Sequence, residues 1–291
     1  TSMKLPKLRL IGFVFKCKIL FCRIYIYNKN LLKEAGLNAP PTTFDELVLA
    51  VKRLQQKNPD IYGIGTCCSS AWGTLPYFWT FGGRLTDENY TRASGYLDST
   101  GSIAALTKIQ KLYRDRILSP SVTGGEPGSW DGVLQGKVLM TEDAHWFFTA
   151  NSKNDNKNLV KDMVIGMFPQ DVNEGTSIIG GENLVMFKNA KHPVESWIFM
   201  KWMVTEKPQE MMTETGLIPT IKHMQDVIRN PLFTSYLQQL NHAQPRPPVS
   251  AWTDIDDVYT KMMERILTEE QPLNEAIRDA VKEMDALLAE Q

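Results

Sequence analysis

The sequence predicts an α/β fold in which helices cover sheets. Three observations carry that expectation. Short apolar strand-like stretches alternate with amphipathic helical ones along the chain, the pattern of layered sheets and helices. An early helix is fully marked: Thr43 and Glu46 have capping-box spacing, and Phe44, Leu47, Val48, Val51 and Leu54 form one apolar stripe. The chain closes on two more stripes of helical period, one from Ile255 through Tyr259 to Ile266 and one from Leu273 through Ile277 and Met284 to Leu288.

Taken in order, residues 3–27 read MKLPKLRLIGFVFKCKILFCRIYIY, apolar and basic. Lys16, Lys18 and Arg23 interrupt the apolar part, and no small-residue cleavage site follows, which argues against a signal peptide. The longest clean run, Leu10 to Phe15, is far short of the roughly 20 residues that span a bilayer. Alternating apolar and basic residues fit one or two strands instead. Strands are expected at Ile24 to Tyr27, Ile61 to Thr66, Val138 to Thr141, Met163 to Phe168 and Leu184 to Phe187. Between the second and third lies a stretch dense in aromatics and glycine, SSAWGTLPYFWTFGG, and then a helix from about Ser102 to Ile117. Gly175, Gly180 and Gly181 suggest a turn ahead of Leu184. Pro193 opens a helix that should run to about Thr215 and stop at Gly216. Pro245, Pro247 and Pro248 make a stiff break before the closing helices.

Composition narrows the function classes. The 291 residues carry 32 basic and 33 acidic side chains, a formal net charge of -1. That disfavours a nucleic-acid surface, a polybasic membrane anchor and an acidic tail. The length suits one large domain or two ordinary ones. Cys17, Cys22, Cys67 and Cys68 form no CxxC pair and read as free buried thiols; His145, His192, His223 and His242 form no HExxH. No metal and no cofactor is called for. GxGxxG, P-loop and GxSxG signatures are absent. Glu142 and Asp143, close to Trp146, hint at glycoside hydrolysis, but neighbours on a strand point to opposite faces and cannot readily flank one bond.

Tryptophan is placed distinctively. Of the seven, Trp197 and Trp202 sit in an apolar helical pattern and read as core. Trp72, Trp146 and Trp252 instead follow or sit in polar contexts: SSAWG, TEDAHWF and PPVSAWTD. An indole there offers a flat apolar face and one N–H donor, the complement of a pyranose with its C–H face and hydroxyl rim. Three rings filling separate corners of the core remain the alternative.

Several longer motifs carry a resemblance. IYNKNLLKEAGLNAPPTTFDEL, PYFWTFGGRL, LQGKVLMTEDAHW, GTSIIGGENLVMFKNAKHPVESWIFMKWM and TGLIPTIK, in this order and spacing, resemble bacterial extracellular solute-binding proteins of the maltose-binding type. The likeness covers about Tyr25 to Gln291. It implies a periplasmic-binding-protein-like two-lobed clamp that closes on a mono- or oligosaccharide and delivers it to the membrane permease subunits of an ABC importer. It implies an extracytoplasmic location, in the periplasm or lipid-anchored at the outer face of the cytoplasmic membrane, and no nucleic-acid partner. By motif, Trp72, Trp146 and Trp252 match the family's stacking positions. Gly180, Gly181 and Glu182 match a loop near its cleft, and Asp143 and His145 flank Trp146 within reach of ligand hydroxyls.

Family topology places residues 24–187 and 232–291 in the second lobe, and 188–231 in a returning segment of the first. Residues 1–23 are atypical, and the family's long opening segment has no counterpart, so the second lobe should be largely complete and the first mostly missing. The helix bearing Trp197 and Trp202 would then expose apolar surface. Two other readings follow: a truncated remnant that folds without binding, and a glycan-acting enzyme using Glu142 or Asp143.

Overall fold

The computed structural model describes residues 14–144, 146–153, 155–213, 217–225 and 231–290. Strands β1 (Val14–Cys22) and β2 (Ile24–Asn28) lead into α1 (Lys29–Glu34), α2 (Phe44–Lys57), β3 (Tyr62–Gly65), α3 (Ala71–Thr80), α4 (Thr100–Arg114) and α5 (Ser129–Leu134). Then come β4 (Val138–Asp143), α6 (Trp146–Asn151), β5 (Met163–Gly166) and β6 (Ser177–Val185). The chain ends through α7 (Pro193–Met203), α8 (Glu206–Thr213), β7 (Ile218–Pro219), α9 (Lys222–Gln225), α10 (Pro231–Leu240), β8 (Ala243–Gln244), α11 (Trp252–Leu267) and α12 (Leu273–Ala289). The α/β class expected from the pattern is the class observed.

Two four-stranded sheets organise these elements, in the orders β7-β1-β6-β8 and β3-β4-β2-β5. The second sheet is mixed, with β3 parallel to β4 and β2 antiparallel to both β4 and β5. Strand alternation sorts its side chains. Tyr25 and Tyr27 enter a large core with α2, α3, α4, α11 and α12, while Ile24 and Ile26 enter a smaller one with Phe147 and Tyr236.

Local chemistry sets the helix starts. The Thr43 hydroxyl accepts the Glu46 amide at 3.2 Å, and the Glu46 carboxylate accepts the Thr42 amide at 2.8 Å. The reciprocal arm of the capping box thus lands one residue earlier than its spacing suggests. Phe44, Leu47, Val51 and Leu54 of α2 are buried as their stripe requires.

Four expectations need correction. Gly180 and Gly181 lie inside β6, paired with Phe21 and Leu20, and make no turn. The reason is packing: the Phe21 ring occupies the space a Cβ on Gly180 would need. The helix from Pro193 breaks at Val204 and Thr205, because Pro208 has no N–H to donate to the Val204 carbonyl and is tolerated only in the first turn of a new helix; Gly216 lies outside the described residues. Trp202 is 46% exposed, beside exposed Ile198 and Phe199, so it is not core. Finally, Cys67 is exposed and Cys68 half-buried, whereas Cys22 is buried. No helix among the described residues is long and apolar enough to cross a membrane.

Candidate functional site

The polypeptide passes from one sheet to the other at a single residue, Arg23, between β1 and β2. Residues 167–176 make a second crossing, from β5 to β6, and residues 245–251 lead from β8 to α11. The Ser177 hydroxyl donates to the Arg23 carbonyl at 2.6 Å, and the Ser177 amide donates to the His242 carbonyl at 2.8 Å. The crossings are thereby tied together where β6 begins.

Arg23 is 1% exposed and partnered on several sides. Its Nη1 donates to Glu142 Oε1 at 3.1 Å and to the Trp72 carbonyl at 2.5 Å. Its Nη2 donates to the Glu142 carbonyl at 3.1 Å and to Cys67 Sγ at 3.5 Å. Thr66 completes the group, its Oγ1 in hydrogen-bond contact with Glu142 Oε1. Glu142 Oε2 and Arg23 Nε are buried without a hydrogen-bond partner among the described residues. Burial pushes the Glu142 carboxyl up to about 8, against the pull of the Arg23 charge.

Around this pair stands an aromatic corner. Phe21 packs edge-on against Trp72, with ring centroids 5.9 Å apart and planes at 86°, and against Trp146 at 4.9 Å and 80°. Such edge-to-face contacts contribute about 0.5–1.5 kcal/mol each beyond area burial. The Arg23 guanidinium lies 5.0 Å and that of Arg246 5.8 Å from the Trp72 ring centroid. Both tryptophans are half-buried near the starts of their helices, Trp72 on α3 and Trp146 on α6.

Asp143 fixes the far side of the corner. Its carboxylate accepts the Trp130 indole N–H and the Ala144 amide, the latter at 2.7 Å, and bonds to Trp146 as well. It is 8% exposed, and burial raises its carboxyl above the usual range. Glu142 and Asp143 thus face different groups, Arg23 and Thr66 against Trp130 and Trp146, as strand alternation requires.

The other residues marked in the sequence are less tightly gathered. Trp252 is the first residue of α11, half-buried against the large core, as is Trp72. Asp256, one turn further along α11, accepts the Ala71 amide at 2.8 Å, so the starts of α11 and α3 are joined. Gly181 pairs with Leu20; Glu182 pairs with Ile19 and is exposed. His145 lies outside the described residues. A cavity of about 320 Å³, lined by Trp79, Arg84, Asn173, Gln244 and Pro247, involves none of the three singled-out tryptophans.

Phe21, Arg23, Trp130 and Arg246 went unmarked in the sequence. A signal existed for Arg23, an arginine inside the strand-like run FCRIYIY, where a charge must be partnered if the strand is buried. Arg246 stands between the prolines of the stiff break, which could have flagged it as held in place.

A family model described as bacterial extracellular solute-binding protein matches residues 23–210. A relative from Brucella abortus, named only as a binding protein, is 24% identical over 275 residues; the alignment covers 91% of this chain and 66% of that one. A maltotriose-binding protein from Pyrococcus abyssi is 24% identical over 238 residues, covering 76% of this chain and 48% of that one. The chain therefore spans two thirds or less of the length of these relatives. Among solved structures, the GacH receptor of Streptomyces glaucescens, studied unliganded and with acarbose, superposes with a TM-score of 0.83 at 22% identity, over 95% of this chain and 71% of that one. An ABC transporter solute-binding protein of Thermotoga lettingae, bound with α-D-tagatose, gives 0.82 at 23% identity, over 95% and 72%. The fold is that of the two-lobed sugar-binding proteins.

Proposed function

The chain belongs to the bacterial extracellular solute-binding protein family, and from that premise we propose that it captures a carbohydrate by aromatic stacking and delivers it to the permease of an ABC importer. The observation that carries this reading is the placement of Trp72 and Trp146 on one shared ring, Phe21, next to the Arg23 crossing. Aromatic faces at a point where a chain changes sheets are suited to grip a ligand as two bodies close. We take the lobes to follow the sheets, with Arg23, residues 167–176 and residues 245–251 as the hinge, a division that moves β6 and β8 out of the lobe to which family topology assigns residues 24–187 and 232–291. Ligand would shift the population toward closure through its higher affinity for the closed state.

The residues divide the work. Trp72 and Trp146 supply stacking faces, and Trp252 lines the neighbouring helix start. Asp143 sets the Trp146 ring through its indole contact, and Gly181 and Glu182, next along β6 from the Phe21 partner Gly180, offer polar contacts at the margin. Arg246, over Trp72, supplies donors for ligand hydroxyls. Delivery to an importer puts the protein outside the cytoplasm.

The test is isothermal titration with a panel of mono- and oligosaccharides. At least one sugar should bind, and Trp146→Ala should weaken it about 10-fold, the loss of one stacking contact of the order given above. Circular dichroism should show the variant folded. A folded variant with undiminished affinity would remove Trp146 from the site, and indifference of the parent chain to every sugar would leave the reading without support.

A further inference from the structure

The adjacent thiols of Cys67 and Cys68 stand beside the aromatic corner, and sugar capture makes no use of them. They lie in the link between β3 and α3, and that link is pinned. The Thr66 hydroxyl donates to the Gly73 carbonyl at 3.1 Å, and the Cys68 carbonyl fills the space a Cβ on Gly73 would need. The pinning leaves the two Sγ atoms 2.8 Å apart, with Cys67 exposed to solvent. Arg23 Nη2 is 3.5 Å from Cys67 Sγ, and Ser70 Oγ is 3.1 Å from Cys68 Sγ. Hydrogen bonding from Cys67 draws the Cys68 thiol down to about 6 despite its burial, with Ser70 and Arg23 adding to the effect. The pair therefore offers a ready thiolate with a second sulfur already against it.

We propose that Cys67 and Cys68 form a reversible modification site, closed into a disulfide between neighbouring residues by exchange with a small disulfide oxidant of the glutathione class. The Cys68 thiolate attacks one sulfur of the oxidant and releases one thiolate. Cys67 loses its proton and attacks Cys68 Sγ of the mixed disulfide, releasing the other. One S–S bond breaks in the oxidant and one forms in the protein. Two electrons and two protons leave the protein and appear in two small thiols.

Ring strain makes the bond labile. Neighbouring Cα atoms sit about 3.8 Å apart across a trans peptide. An ordinary disulfide spans about 4.4 Å or more. Strained disulfides belong to the easily reduced class, so the closed form reopens with small thiols. Closure also changes the sulfur that Arg23 Nη2 contacts, and Arg23 is the residue whose Nη1 donates to the Trp72 carbonyl. The redox state of the pair is thus coupled to the aromatic corner whether or not that corner binds sugar.

The experiment treats the purified chain with oxidised glutathione, blocks remaining thiols with iodoacetamide and reads the peptide holding both cysteines by mass spectrometry. The expected product lacks two hydrogens, carries neither label nor glutathione, and recovers both labels after treatment with reduced glutathione. In Cys67→Ser the reaction should stop at a glutathione adduct on Cys68. A lasting glutathione adduct on the parent chain, full labelling of both thiols after oxidation, or cross-linking between chains in place of the internal bond would overturn the proposal.

Discussion

Helices α7 and α11 carry similar apolar side chains and meet opposite fates. In α11 the stripe through Ile255, Val258, Tyr259, Met262 and Ile266 is buried against α12, α4 and α3. In α7 only Met200 and Met203 are buried, while Val194, Ile198, Phe199 and Trp202 face outward. The difference lies in pattern rather than content. α11 is apolar along one side and polar along the other, so its sequence states which face meets the core. α7 is apolar nearly all round, which states that burial is favourable and not what does the burying. The region around the second sheet is thus energetically closed, and the region around α7 is not.

The largest effect should separate the two directly. Ile266 is 0% exposed and Ile198 is 57% exposed. Ile266→Ala should cost about 2–5 kcal/mol through lost burial and a residual cavity. Ile198→Ala should change stability by no more than about 0.5 kcal/mol. Urea midpoints of the two variants measure this, and equal losses would show that α7 is packed as α11 is. Gly180→Ala probes the strand paired with β1: displacing Phe21 should cost about 1–3 kcal/mol, with near-ultraviolet aromatic circular dichroism reporting the moved ring. An unchanged spectrum and midpoint would mean that the β1–β6 contact is slack.

A pH effect comes next. The Glu142 carboxyl is raised from 4.5 to about 8 in the folded chain. Between those values the folded state holds more protons than the unfolded one, so stability should fall as pH rises through that window, by about 1.4 kcal/mol per pH unit at most. Glu142→Gln should flatten that slope in denaturation curves taken across it; parallel slopes would mean that Glu142 is ionised throughout. The smallest effect concerns helix starts. Thr43→Ala removes a cap from α2 and should cost about 1 kcal/mol in urea unfolding. His192→Ala at the start of α7, where the side chain caps nothing, should cost about 0.

The same contrast explains what the sequence made legible. α2, α4, α11 and α12 stood out because a single stripe meets a single core, and β2 to β5 because apolar runs were bounded by turn residues. The glycines of β6 misled because a glycine that turns a chain and a glycine that admits a neighbouring ring look identical in one dimension. Gly180 is the second kind, and its partner Phe21 lies 159 residues away in a stretch read as strand-like but assigned to neither lobe. Trp72 and Trp146 were marked from their polar surroundings, but Phe21, the ring on which both pack, was not, since proximity across two sheets leaves no local mark. Arg23 and Asp143 likewise gain meaning only from the partners that the fold delivers.

A crystal structure grown with the tightest-binding saccharide of the panel tests the central claim most directly. A sugar ring laid against Trp72 or Trp146, beside the Arg23 crossing, is the result expected. A sugar seated in the cavity between Trp79, Arg84 and Gln244, with both indoles untouched, would contradict it.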